Sequence, residues 1–148
     1  MRLYRGFNRV LELGEHSNIF FDGSRSPTHA DLQVHLIADQ WFFDKFGVKA
    51  RSCTVICSTD YSQACCYGYV YRIIPQGPYK IVYSPNVKDF CEYGIALSSP
   101  DDLGEDRVLD WLENSGYVVG DDFSKIKADF RGEVMVWCEK FTVEPLQN

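Results

Sequence analysis

The chain has 148 residues, of which 45% are hydrophobic and 15% aromatic, enough to bury the core of one domain and too apolar for intrinsic disorder. A formal net charge of −6 and a pI near 5.0 exclude non-specific nucleic-acid binding, which needs a positive surface to release counterions. The longest apolar runs are too short to cross a bilayer. No secretory signal precedes the six cysteines, Cys53, Cys57, Cys65, Cys66, Cys91 and Cys138, so a reduced, cytoplasmic chain is expected. No Cys-x-x-Cys pair occurs, and His16, His29 and His35 lie far in sequence from the cysteines, so no structural zinc is expected.

In chain order, residues 2–7 read as a first strand with Leu3, Arg5 and Phe7 on one face and Tyr4 on the other. An arginine between two apolar neighbours has two readings. Arg5 is either the solvated residue of an edge strand, which the spacing alone favours, or a cation held in a cleft, where Gly6 lets a ligand approach the backbone. Residues 8–27 read as loop, with a short strand at 18–21. Thr28 to Asp31 has the form of a capping box ahead of Leu32, Leu36, Ile37, Trp41 and Phe42, which predicts a helix closed by Gly47. His35 is taken as structural.

The run from Arg51 to Gly68 changes character midway. Cys53, Val55 and Cys57 alternate with Ser52, Thr54 and Ile56 as a strand does, and Ser58, Thr59 and Asp60 then make a polar turn that caps a short helix from Tyr61. Residues 69–74 and 79–83 read as a hairpin joined across Pro75 to Pro78. Ser99 opens a second helix with the stripe Leu103, Val108, Leu109 and Leu112, ending at Gly116. Residues 132–138 and 140–144 give a final strand or strand pair, with Glu133 as either its exposed first residue or a buried carboxylate in need of a partner. Short strands with two main helices between them predict an α+β fold in a single domain, 1–148.

No phosphate-binding glycine loop, His-Glu-x-x-His or Gly-x-Ser-x-Gly is present, and Cys65 and Cys66 have no identifiable histidine or asparagine partner. Three features remain: Leu3-Tyr4-Arg5-Gly6 on the first strand, Ser58-Thr59 after a middle strand, and Gly132-Glu133-Val134-Met135-Val136 followed by Lys140-Phe141-Thr142-Val143. In that order they resemble the arginine–serine–glutamate class of ADP-ribosyltransferases.

The resemblance implies two packed, mostly antiparallel small sheets with flanking helices around an NAD cleft. It implies an NAD-dependent mono-ADP-ribosyltransferase, a small bacterial or phage effector or toxin domain that acts on a macromolecular acceptor, expected to be a protein, with a cognate immunity protein as a further candidate partner. NAD glycohydrolysis on the same fold, or a non-catalytic α+β interaction module, are the alternatives. By the family's pattern Arg5 holds the NAD diphosphate or braces the cleft, and Gly6 offers its backbone to the nicotinamide amide. Ser58, with Thr59 beside it, bonds the nicotinamide ribose and fixes Glu133. Glu133 bonds the ribose 2′-hydroxyl and stabilises an oxocarbenium-like transition state. Arg51 or Arg25 would support the diphosphate, Tyr61 or Phe20 would stack on the nicotinamide, and no metal is required. The chain departs from the family's pattern at Arg131, where members often carry Glu or Gln two residues before the catalytic glutamate, and at Asp60, which replaces a serine. A poly-ADP-ribose polymerase would carry histidine in place of Arg5. The segment 116–131, with Phe123 and Phe130 among charged residues, is expected to recognise the acceptor.

Overall fold

The computed structural model describes residues 1–27, 30–97 and 104–146. The chain is α+β, as its pattern of elements predicts. Eight antiparallel strands, β1 (Leu3–Phe7), β2 (Gly14–Ser17), β3 (Val55–Ser58), β4 (Tyr69–Gln76), β5 (Lys80–Tyr83), β6 (Val118–Gly120), β7 (Glu133–Trp137) and β8 (Lys140–Glu144), form one sheet in the order β2-β8-β4-β1-β3-β7-β5-β6. The expectation of two separate sheets is corrected to a single hydrogen-bonded one. That sheet nevertheless has a weak seam. β1 pairs with β4 over five residues and β3 with β7 over four, whereas β1 meets β3 at the single pair Tyr4↔Ser58.

The main helix, α1 (Leu32–Phe46), is capped by Asp31, whose side chain accepts from the N–H groups of Gln33 and Val34. Thr28, the expected cap, and His29 lie outside the described residues. Gly47 closes the helix at φ 75°, a left-handed conformation in which a side chain would be strained. A short helix, α2 (Tyr61–Cys65), starts after Asp60, which caps the Ser62 N–H. After a 3-10 turn at Phe90–Glu92 comes the single turn α3 (Tyr93–Ala96), and then α4 (Glu105–Asn114). The expected start of that last helix, from Ser99 to Leu103, lies outside the described residues.

Alternation on the strands divides the core in two. Met135 of β7 and Val82 of β5 face α1 and α4, where they pack with Val34, Phe42, Phe90, Val108, Leu112 and Tyr117. Val134 and Val136 face the other way, against Leu3, Val55, Cys57, Ile73, Ile81 and Val143. Each fully buried aliphatic or phenylalanine side chain contributes about 1.5–3 kcal/mol. Glu133 has the same parity as Met135, so it enters the helix-covered face, and Ser58 opposite it does the same.

Three local expectations are corrected. The segment 18–21 is a turn and the strand precedes it, because Asn18 is buried and spends its side-chain amide on the Cys53 and Cys138 carbonyls, both at 2.9 Å. β4 and β5 are not a hairpin: β4 pairs with β1 and β8, and β5 with β6 and β7, so the Gly77-Pro78 link carries the chain from one half-sheet to the other. β1 lies inside the sheet, so Arg5 is not the solvated residue of an edge strand. All six cysteines are free thiols, and no helix among the described residues is long and apolar enough to cross a membrane.

Candidate active site

Beyond the Tyr4↔Ser58 pair a continued ladder would set Gly6 opposite Ile56, but the two strands part there and a cavity of about 170 Å3 opens. At roughly 10–15 Å3 of such volume per water, it holds on the order of ten waters. Arg5 fills the seam. Its Nη1 donates to the Ile56 carbonyl at 2.7 Å, supplying a hydrogen that the neighbouring strand does not. Burial draws the Arg5 pKa below its ordinary value, partly offset by the Cys57 and Tyr67 side chains.

Arg5, Gly6, Ser58, Arg51 and Glu133 all line this cavity, together with Tyr4, Arg25, His35, Gln63, Tyr67, Asp89 and Cys91. Sequence reasoning did not single out Gln63, Tyr67, Asp89 or Cys91 for it. Three expected site residues, Thr59, Tyr61 and Phe20, do not line it. Thr59 is a strut behind the cavity: its hydroxyl donates to the Phe130 carbonyl at 2.8 Å and accepts from the Gly132 N–H at 3.0 Å, which fixes the chain just ahead of Glu133. Tyr61 is 47% exposed, stands edge-on to Tyr4, and lines a separate surface cleft with Arg2, Arg72 and Leu146. Phe20 is under the Arg25 guanidinium, 3.9 Å from ring centroid to carbon.

The polar groups are held tightly. The Ser58 hydroxyl reaches Gln63 Oε1 and the Gly132 carbonyl (3.2 Å) and accepts from the Asp60 N–H (2.9 Å). Gln63 in turn donates to the Lys88 carbonyl at 3.0 Å, which also accepts from the Glu133 N–H at 2.9 Å. Gly6 is required by packing, since a Cβ there would lie 2.3 Å from the Ala64 carbonyl oxygen at the end of α2.

Charge in the cavity runs against the charge of the chain. Arg5, Arg25 and Arg51 face it with Glu133 and Asp89 as the carboxylates. Burial first, then the nearby Arg5 and Arg51, pull the Arg25 pKa down to about 9, so the group stays charged at neutral pH. Its Nη2 donates to the Thr54 carbonyl at 2.6 Å, while its buried Nε, like that of Arg51, has no hydrogen-bond partner among the described residues. Arg25, which faces the cavity without an ion pair to a carboxylate among the described residues, fits an anion, whereas the Arg51 guanidinium is already held by Glu133. Glu133 is held above the ordinary carboxylate range, chiefly by burial; Arg51 opposes that shift and Asp89 adds to it. Burial raises Cys91 to about 11, which leaves it a thiol and a weak nucleophile at neutral pH. Among the described residues no cluster of three His, Cys, Asp or Glu side chains is arranged to hold a metal.

Comparison with known proteins finds no match: no protein-family model, no curated protein and no solved structure matches this chain.

Proposed function

We propose that the chain is an NAD-dependent mono-ADP-ribosyltransferase that cleaves the bond between nicotinamide and ribose and passes ADP-ribose to a macromolecule. One observation carries this reading: Arg5, Ser58 and Glu133, supplied by the three neighbouring strands β1, β3 and β7, line one cavity. That convergence joins residues separated by most of the chain, in the order that the resemblance requires.

The chemistry needs little more than this set. As the glycosidic bond breaks, its electron pair leaves with nicotinamide, which departs neutral, and positive charge builds at the ribose C1′. Glu133, bonded to the ribose 2′-hydroxyl, stabilises that charge more in the transition state than in the ground state. The acceptor's nucleophilic atom then bonds C1′ and loses its proton, so NAD and acceptor become ADP-ribosylated acceptor, nicotinamide and one proton. Arg5 and Arg25 supply the cations for the diphosphate, and the Tyr67 ring beside the cavity offers the nicotinamide an aromatic wall. Ser58 fixes the backbone that presents Glu133.

The experiment is incubation of the chain with NAD labelled in its adenosine half, alone and with a cell lysate, while nicotinamide release and labelled macromolecules are followed. Nicotinamide release with label on a macromolecule supports transfer; release with free ADP-ribose alone marks a glycohydrolase. A folded chain that neither releases nicotinamide nor gains melting temperature with NAD refutes the proposal.

A further inference from the structure

Arg51 belongs to no helix or strand, yet it is among the most buried polar residues of the chain. Its guanidinium stacks on Phe90, 4.2 Å from the ring centroid, and its Nη1 donates to Glu133 Oε1 at 3.0 Å and to the Met135 sulfur at 3.3 Å. The ion pair is largely withdrawn from water, with side chains 10% and 13% exposed. Its base is fixed as well. Asp39 of α1 accepts the N–H groups of Arg51 and Ser52 with Oδ1, both at 3.0 Å, and the Ser52 hydroxyl with Oδ2.

From this geometry we infer that Arg51 is a positioning residue, which favours the ionised form of Glu133, aims it into the cavity and is not a ligand of the substrate's diphosphate. The inference rests on the proposed role of Glu133. A carboxylate buried without a cation takes up a proton, and a protonated Glu133 has no charge to offer C1′. Arg suits the task because its planar fork can lie flat on a ring while its edge N–H groups point at a carboxylate. With its backbone pinned by Asp39 and its face against Phe90, the guanidinium is not free to follow an arriving anion. Arg25 and Arg5 hold their guanidinium groups against backbone carbonyls of β3 and the turn before it, with no carboxylate bonded to them among the described residues.

The other groups around Glu133 do not replace this contact. Asp89 and Cys91 approach from the 3-10 turn, Tyr67 from the end of α2, Tyr117 from the segment before β6 and Arg25 from the loop before α1. Asp89 disfavours the charged carboxylate. Among the described residues Arg51 alone forms an ion pair with Glu133.

The experiment follows the Glu133 side-chain carboxyl by carbon NMR through a pH titration without NAD, in the wild type, Arg51→Met and Arg25→Gln. Arg51→Met is expected to move the Glu133 midpoint upward by about one pH unit or more, since an opposite charge at this range favours ionisation by about 1–3 units. Arg25→Gln moves it much less. In NAD turnover Arg51→Met lowers kcat and shifts the acid limb upward, while KM changes little. A Glu133 midpoint unmoved in Arg51→Met, or moved as far in Arg25→Gln, overturns the inference. So does a rise in KM with kcat and the acid limb in place, because that marks a diphosphate ligand. Should Arg51→Met not fold, the wild type decides alone: the Arg51 guanidinium resonances must titrate with the Glu133 midpoint, and independent midpoints overturn the pairing. If the wild type releases no nicotinamide although Glu133 titrates as expected, the proposed function fails and the ion-pair inference stands.

Discussion

Ser58 and Glu133 face each other as the terminal pair of the β3–β7 ladder. Their side chains therefore emerge side by side on the helix-covered face. Neither depends on a flexible loop for its place: Ser58 is bound to the Gly132 carbonyl, and the Glu133 N–H to the Lys88 carbonyl. A site built from paired strand ends keeps its geometry before any ligand arrives, which is what electrostatic stabilisation of a transition state requires.

Replacing Glu133 with Gln keeps the shape and one acceptor for Arg51 but removes the charge. Nicotinamide release should fall by about 10²–10³, the usual loss for one preorganised group. Circular dichroism should show an unchanged fold. Turnover equal to wild type in a folded Glu133→Gln chain would contradict the assigned role.

The same substitution exposes a pH signature. Glu133 has a folded pKa raised above the unfolded value, so between the two values the native chain binds more protons than the unfolded one, and stability falls as pH rises. This contribution is absent in Glu133→Gln, and other titrating groups largely cancel in the comparison. The melting temperature of Glu133→Gln minus that of wild type should therefore rise with pH from the ordinary carboxylate range upward, then level off once Glu133 is ionised. A difference that stays constant across pH 4 to 8, a window of about four units around carboxylate titration, would show that burial does not perturb this group.

Arg5→Lys should have two consequences, because Arg5 both faces the cavity and donates across the seam to Ile56. Loss of the planar fork weakens NAD binding by about tenfold, equivalent to ~1.4 kcal/mol. The melting temperature also drops, since the Ile56 carbonyl loses a charge-assisted bond. Calorimetric titration with NAD and thermal unfolding check the two separately, and unchanged affinity with a lower melting temperature would make Arg5 purely structural.

The loop before Glu133 looked like a recognition surface in sequence, but its aromatic residues turn inward. Phe123 packs on Tyr79 at 6.0 Å between centroids and Phe130 on Tyr83 at 5.4 Å, both against the core layer away from α1 and α4. Phe123→Ala should lower the melting temperature, by less than the ~3–5 kcal/mol of a fully buried phenylalanine, and leave nicotinamide release per folded molecule unchanged. If label transfer to an acceptor fell while stability and nicotinamide release did not, Phe123 would be a recognition residue after all.

Local signals in the sequence were informative where one face of an element is apolar. The alternation around Val55 and Cys57, and that of β7, mark strands with a buried face, and the Leu32 to Phe46 stripe with Gly47 marks α1. β2 was not visible, because Gly14–Ser17 is an edge strand of alternately exposed polar residues with no apolar face to reveal it. The β4–β5 hairpin was misread for another reason: composition locates strands but does not say which strand each one pairs with. The site follows the same division. Arg5, Ser58 and Glu133 were legible as motifs, whereas the Arg51 contact joins residues 82 positions apart and leaves no local trace. Gln63 and Asp89 were hidden because polar residues after a turn read as solvated surface.

The single rung between β1 and β3 has a mechanical consequence. Between β1 and β3 the described hydrogen-bonded ties are Tyr4↔Ser58 and the Arg5 bond to Ile56, while Leu3, Ile73 and Val143 packed against Val55, Val134 and Val136 hold the two half-sheets together beneath the seam. A ligand that draws the Arg5 guanidinium away from Ile56 releases the second tie as it arrives. The occupancy of the cavity's cation and the hydrogen bonding of the seam are then one variable.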